Sequence, residues 1–150
     1  MDLIRRLSED QKAAMKDGDR TRTAVLRLLR TRIKEAQVAK REDLSEGDVL
    51  KIIMSEIKRR REAIDLFERG GRGDLATKEK HEVAILESYL PQKLSEDELR
   101  AEAQKAIEEV GASGPQDLGR VMKVLMPRIS GRAEGSDASR IVKELLAKEG

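Results

Sequence analysis

His81 is the single histidine of the chain and stands between Lys80 and Glu82. Acting as a general base in a triad, it would need a nucleophile and an orienting carboxylate supplied by the fold. The nine serines are scattered, five of them at caps or turns, and none sits in a G-x-S-x-G elbow. There is no cysteine, which excludes thiolate zinc sites, disulfides and a cysteine nucleophile. A carboxylate-bridged di-metal bundle needs two Glu-x-x-His pairs, and one histidine cannot provide them. Gly111, Gly114 and Gly119 do not make G-x-G-x-x-G, and no phosphate-binding P-loop occurs. Arg72-Gly73-Asp74 spells an adhesive tripeptide, but a turn between helices accounts for it. Neither catalysis nor a bound cofactor or metal is expected of this chain.

The basic residues offer different chemistry. Arg20 to Lys34 holds six basic residues and no acid, and Lys58-Arg59-Arg60-Arg61 is a second run. Arg120, Lys123, Arg128 and Arg132 form a third acid-free stretch around Gly131 and Gly135. Such cations on a helix face can meet phosphates, an acidic partner or water. The run at 58–61 spans a whole helical turn and so points all round. With one Phe, one Tyr and no Trp, stacking platforms for unpaired bases are missing. Any nucleic-acid contact would therefore be to phosphates and shape. Ser136 reads as the cap of a following helix, whose free backbone N–H groups can also receive a phosphate.

The elements that carry these residues are helical. Charged residues are 40% of the 150 and apolar ones 38%, and the abundant Ala, Leu, Glu, Lys and Arg lose little entropy in a helix. Apolar spacing predicts helices over about 2–17 (Leu3, Ile4, Leu7, Ala14, Met15), 20–40 (Val25, Leu28, Leu29, Ile33, Ala36) and 46–69 (Val49, Ile53, Ile57, Ile64, Phe67). Asp19 and Ser45 are the expected N-caps, and Gly70-Gly71 the C-terminal stop. A fourth helix, capped by Asp74, is expected over 75–90, ended by Pro91. Ser95 with Glu98 makes a capping box for a fifth over 96–110, stopped by Gly111. The sixth should begin near Pro115 and stop before Pro127, and the seventh should follow Ser136. No repeat of solenoid period is present. No stretch approaches the ~18 apolar residues of a membrane span, and the opening MDLIRRLSEDQK lacks the apolar core of a signal peptide. A cytoplasmic protein without membrane contact is expected.

The stretch Gly119 to Ser136, with Gly111 and the closing Ile141-Val142-Lys143-Glu144-Leu145-Leu146, resembles the GatB/YqeY motif. So do Leu7 to Lys16, Arg22 to Lys34, Gly71-Arg72-Gly73-Asp74-Leu75 and Glu87 to Ser95. The chain as a whole is similar to the small stand-alone YqeY-like proteins of this family. The same motif forms the C-terminal tail of the B subunit of tRNA-dependent amidotransferases. The resemblance implies an all-α, multihelical fold: a three-helix domain over 1–73, a linker helix over 74–94, and a second three-helix domain over 95–150. It also implies association with tRNA or a tRNA-processing enzyme, without the domains that carry out amidotransfer. An amidotransferase or carbon–nitrogen ligase label would then be inherited from the tail. The residues toward tRNA would be Arg120, Lys123, Arg128, Gly131, Arg132, Gly135 and Ser136. Ser130 departs from the Lys that relatives often have there, and Gly73 from an acid. The rival expectation is a protein-interaction adaptor that does not bind RNA. Four cations converging on one free face would favour RNA, whereas exposed Met122 and Met126 would favour a protein partner.

Overall fold

The computed structural model describes residues 2–149, and the expected domain ends at 1 and 150 lie outside them. Seven α-helices and one 3-10 turn account for the ordered structure, and no strand occurs among the described residues. The helices are α1 (Leu3–Lys16), α2 (Arg20–Lys40), α3 (Glu46–Arg69), α4 (Gly73–Glu87), α5 (Glu96–Val110), α6 (Leu118–Ile129) and α7 (Gly135–Glu149), with the 3-10 turn at Pro115–Asp117 before α6. The chain divides into two compact units, 1–90 and 91–150.

Local chemistry sets most boundaries. Asp19 accepts from the Arg22 N–H at 3.0 Å and starts α2. Ser45 and Asp48 exchange the reciprocal bonds of a capping box at α3, as do Ser95 and Glu98 at α5. Each such cap is worth ~1 kcal/mol because it pairs a backbone N–H that the helix leaves free. Gly111 ends α5 in the left-handed region at φ +66°, which residues with a Cβ avoid.

In the first unit, α1 packs on α2 and α3 on α4, and α2 also meets α3 and α4. Leu7, Leu26, Leu29, Ile53 and Leu86 are almost fully buried there. The sequence stripe on α2 is rotated slightly from the observed one: Leu26 is buried, and Leu28 faces solvent. The helix expected as a linker belongs to this unit instead. Ala76, Val83, Ile85, Leu86 and Tyr89 enter the same core as α1–α3, so the unit has four helices rather than three. Asp74 does not cap α4. The helix starts at Gly73, and Asp74 takes the Arg72 guanidinium on both oxygens at 3.1 Å.

Tyr89, the only tyrosine, donates its hydroxyl to Asp10 at 2.6 Å and lies under the Arg6 guanidinium. Burial, then the hydrogen bond and charge of Asp10, push its phenol up to about 12, against the opposing pull of Arg22. The folded state thus favours the neutral phenol. This contribution to stability is complete below the unfolded value near 10 and is lost as pH rises toward about 12. Alkaline titration followed by tyrosinate absorbance should show a midpoint near 12. A midpoint near that of free tyrosine would contradict the Tyr89–Asp10 pair.

In the second unit α5, α6 and α7 pack on one another around Leu99, Ala103, Ile107, Val121, Leu125, Ile129, Ile141 and Leu146. Pro127 does not stop α6, which continues to Ile129. The ring removes one helix hydrogen bond, to the Lys123 carbonyl, but fully buried Ile129 holds the last turn on the core. With its own caps and apolar core, a fragment of residues 91–150 should fold alone, though a domain of this size is only marginally stable. A cooperative thermal melt followed by circular dichroism is the expected result. A non-cooperative one would show that this core depends on the rest of the chain.

Candidate nucleic-acid interface

The third basic stretch lies on α6 and the turn after it. Val121, Leu125 and Ile129 face the core, which turns Arg120, Lys123 and Arg128 toward solvent. The structure gives three of the four cations an internal partner. Arg120 pairs with Asp117 at 3.0 Å, one helical turn earlier, and donates to the Val110 carbonyl at the open end of α5. Arg128 pairs with Glu109 of α5. Arg132 donates its Nε to the Gln92 carbonyl at 2.9 Å, and its own carbonyl accepts from the Leu94 N–H. Lys123 is exposed and makes no ion pair among the described residues. The four therefore do not form one free cluster. Arg120, Lys123 and Arg128 are exposed and Arg132 is half-buried, and all but Lys123 are steadied by a partner.

The electrostatics agree with that geometry. The Arg128 guanidinium holds the Glu109 carboxyl below its ordinary range, and Glu109 in turn raises Arg128. Asp117 is lowered first by the Ser113 N–H it accepts and then by Arg120. Sequence spacing makes Asp117–Arg120 legible as an i,i+3 pair. Nothing in the sequence links Arg128 to Glu109, which is brought to it only by the packing of α5 on α6.

The glycines and Ser136 behave differently from expectation. Gly131 turns the chain at φ +80°. Gly135 lies against the Met126 methyl, which a Cβ would meet at 3.4 Å. Ser136 does not cap α7: the helix begins at Gly135, and the Ala138 N–H donates to the Glu134 carbonyl. Glu134 and Asp137 flank this helix start, so carboxylates already complement its dipole. The Ser130 hydroxyl is shut off from solvent without a hydrogen-bond partner and is closed to a phosphate. Met122 and Met126 are partly buried against the core rather than displayed.

The other chemistry-bearing residues are placed as follows. His81 is exposed on α4. No group of three or more His, Asp or Glu among the described residues could hold a metal ion. In the run 58–61, Arg59 reaches Glu56, Arg60 meets Glu79 and Glu82, and Arg61 meets Glu87. No helix among the described residues is long and apolar enough to cross a membrane.

Comparison with known proteins adds the family. A family model described as "Yqey-like protein" matches residues 4–146. The chain is 30% identical over 118 residues to altered inheritance of mitochondria protein 41, mitochondrial, of Lachancea thermotolerans. That alignment takes in 77% of this chain and 63% of the relative. The protein of the same name from Eremothecium gossypii is 33% identical over 90 residues, 59% of this chain and 49% of the relative. An uncharacterized protein of Schizosaccharomyces pombe is 30% identical over 82 residues, 55% of this chain and 67% of its own length. The chain thus spans about half to two thirds of these relatives. Two of them are named as mitochondrial, which overturns the expectation of a cytoplasmic protein drawn from the lack of a signal-peptide pattern and of a membrane span.

Proposed function

The chain belongs to the YqeY-like family, and from that premise we propose that it is a non-catalytic helical module that associates with tRNA through α6 and the turn after it. The observation that carries the reading is the solvent-facing row of Arg120, Lys123 and Arg128, continued by half-buried Arg132, in a stretch without an acid. Glu109, the partner of Arg128, is an exposed carboxylate, and exposed pairs of this kind are weak, whereas the Asp117 partner of Arg120 is largely covered. A phosphate can replace such an exposed pair with a stronger charge-assisted bond. The likeness of Gly119 to Ser136 to the tail of the amidotransferase B subunit supports the same reading. Gly131 and Gly135 shape the turn. Ser136 contributes from the first turn of α7 rather than as its cap.

Four phosphate contacts give a log–log salt slope of roughly −3 to −4 on duplex-like RNA. Without stacking residues, binding should tolerate sequence and prefer folded RNA over single strands. Titrating labelled bulk tRNA with the full chain at several salt concentrations should return that slope. Absence of binding at low salt, or a slope near zero, would refute the reading.

A further inference from the structure

We propose that the open face shared by α1 and α2 docks an acidic amphipathic helix of a partner protein. A shallow groove there is lined by Met15, Gly18, Arg20, Thr23, Ala24 and Arg27. Its apolar component is displayed: Met15 in the groove is 56% exposed, and beside the groove Leu28, one turn beyond Ala24 on α2, is 40% exposed. As for its cationic component, the cations of the groove, and Lys34 on the same side of α2, enter no ion pair among the described residues. The ion pairs of α1 and α2 are Arg5–Glu9, Arg6–Asp10, Arg32–Glu56 and those of Lys40 with Glu42 and Asp48. Arg20, Arg27 and Lys34 enter none of them, although all three are exposed. In the run 58–61, by contrast, three of the four cations are matched by carboxylates. Arg30 gives its guanidinium to Gln11 and Arg32 turns to buried Glu56, so both of these cations are already engaged.

An occupant must satisfy both components. A phosphate backbone would meet the guanidinium groups but leave Met15 and Leu28 against sugar and water. A helix with an apolar stripe seats side chains on Met15, Ala24 and Leu28, while flanking carboxylates reach Arg20, Arg27 and Lys34. The unbranched, polarizable Met15 can adapt to such a stripe. The chain's own carboxylates on this side are at the edges: Asp17 and Asp19 in the turn, with Asp19 held by the Arg22 N–H, and Glu35 farther along α2. The proposal concerns the first unit and does not rest on the tRNA reading of the second.

The probe is a labelled helical peptide of about five turns with Leu along one face and Glu beside it. Titrated into the full chain, it should bind saturably and shift the amide resonances of Gly18 and Ala24. Met15→Ala and the double variant Arg20→Ala/Arg27→Ala should each weaken it about tenfold. These side chains are solvent-facing, so an unchanged melt checks folding, and Arg27→Gln provides a milder second variant. Failure of the peptide to bind at low salt would overturn the proposal. So would equal binding of a peptide with Leu replaced by Ser, since charge alone would then suffice. Loss of bulk tRNA binding in Arg20→Ala/Arg27→Ala but not in Met15→Ala, with peptide binding unaffected by either, would assign the face to phosphates instead.

Discussion

Replacing Arg60 by alanine should destabilise the first unit by ~3–5 kcal/mol, the range for removing one partner of a buried ion pair. The Arg60 side chain is only 14% exposed and lies between Glu79, at 3.1 Å, and Glu82. Glu82 is itself buried on α4. Without the guanidinium, two carboxylates would face each other beside the core with nothing to neutralise them. Arg61→Ala, which removes the exposed pair with Glu87 one residue on, should change stability by less than ~1 kcal/mol. Chemical denaturation of the two variants side by side distinguishes these effects. Equal midpoints would mean that Arg60 does not anchor α4 to α3.

Leu125→Ala should have an effect of similar size in the second unit, ~2–5 kcal/mol, from lost burial plus the cavity left behind. Leu125 is fully buried among the residues joining α5, α6 and α7. A unit of this size has little stability to lose, so its melt in the fragment 91–150 should shift far down or vanish. Met122→Ala, on the partly buried flank of the same helix, should cost clearly less. The reverse order would mean that α6 is rotated from the orientation described, and the row of outward-facing cations would go with it.

What the sequence made legible is what local chemistry decides. The caps at Asp19, Ser45 and Ser95 and the stop at Gly111 involve residues within a few positions of one another, and the all-α class follows from composition and period. What depends on packing was not legible. The apolar residues of α4 do not reveal which neighbour covers them, so a core helix reads as a linker. The stripe of α2 is wide enough that Leu28 can be taken for Leu26. Pro127 reads as a stop because its missing N–H is local, whereas the burial of Ile129 that holds the last turn is not. In the candidate interface, residue types and order gave the cations. Their partners Glu109 and the Gln92 carbonyl are supplied across the fold.

The central claim is that the cations around α6 meet phosphates of folded RNA, and its most direct measurement compares salt slopes. Labelled bulk tRNA is titrated at several salt concentrations with the unaltered chain and with Arg128→Ala/Arg132→Ala. Removing two phosphate contacts should make the slope shallower by about two units, while alanines in place of Lys58–Arg61 should change it less. Identical slopes for the unaltered and doubly substituted chains would contradict the phosphate role.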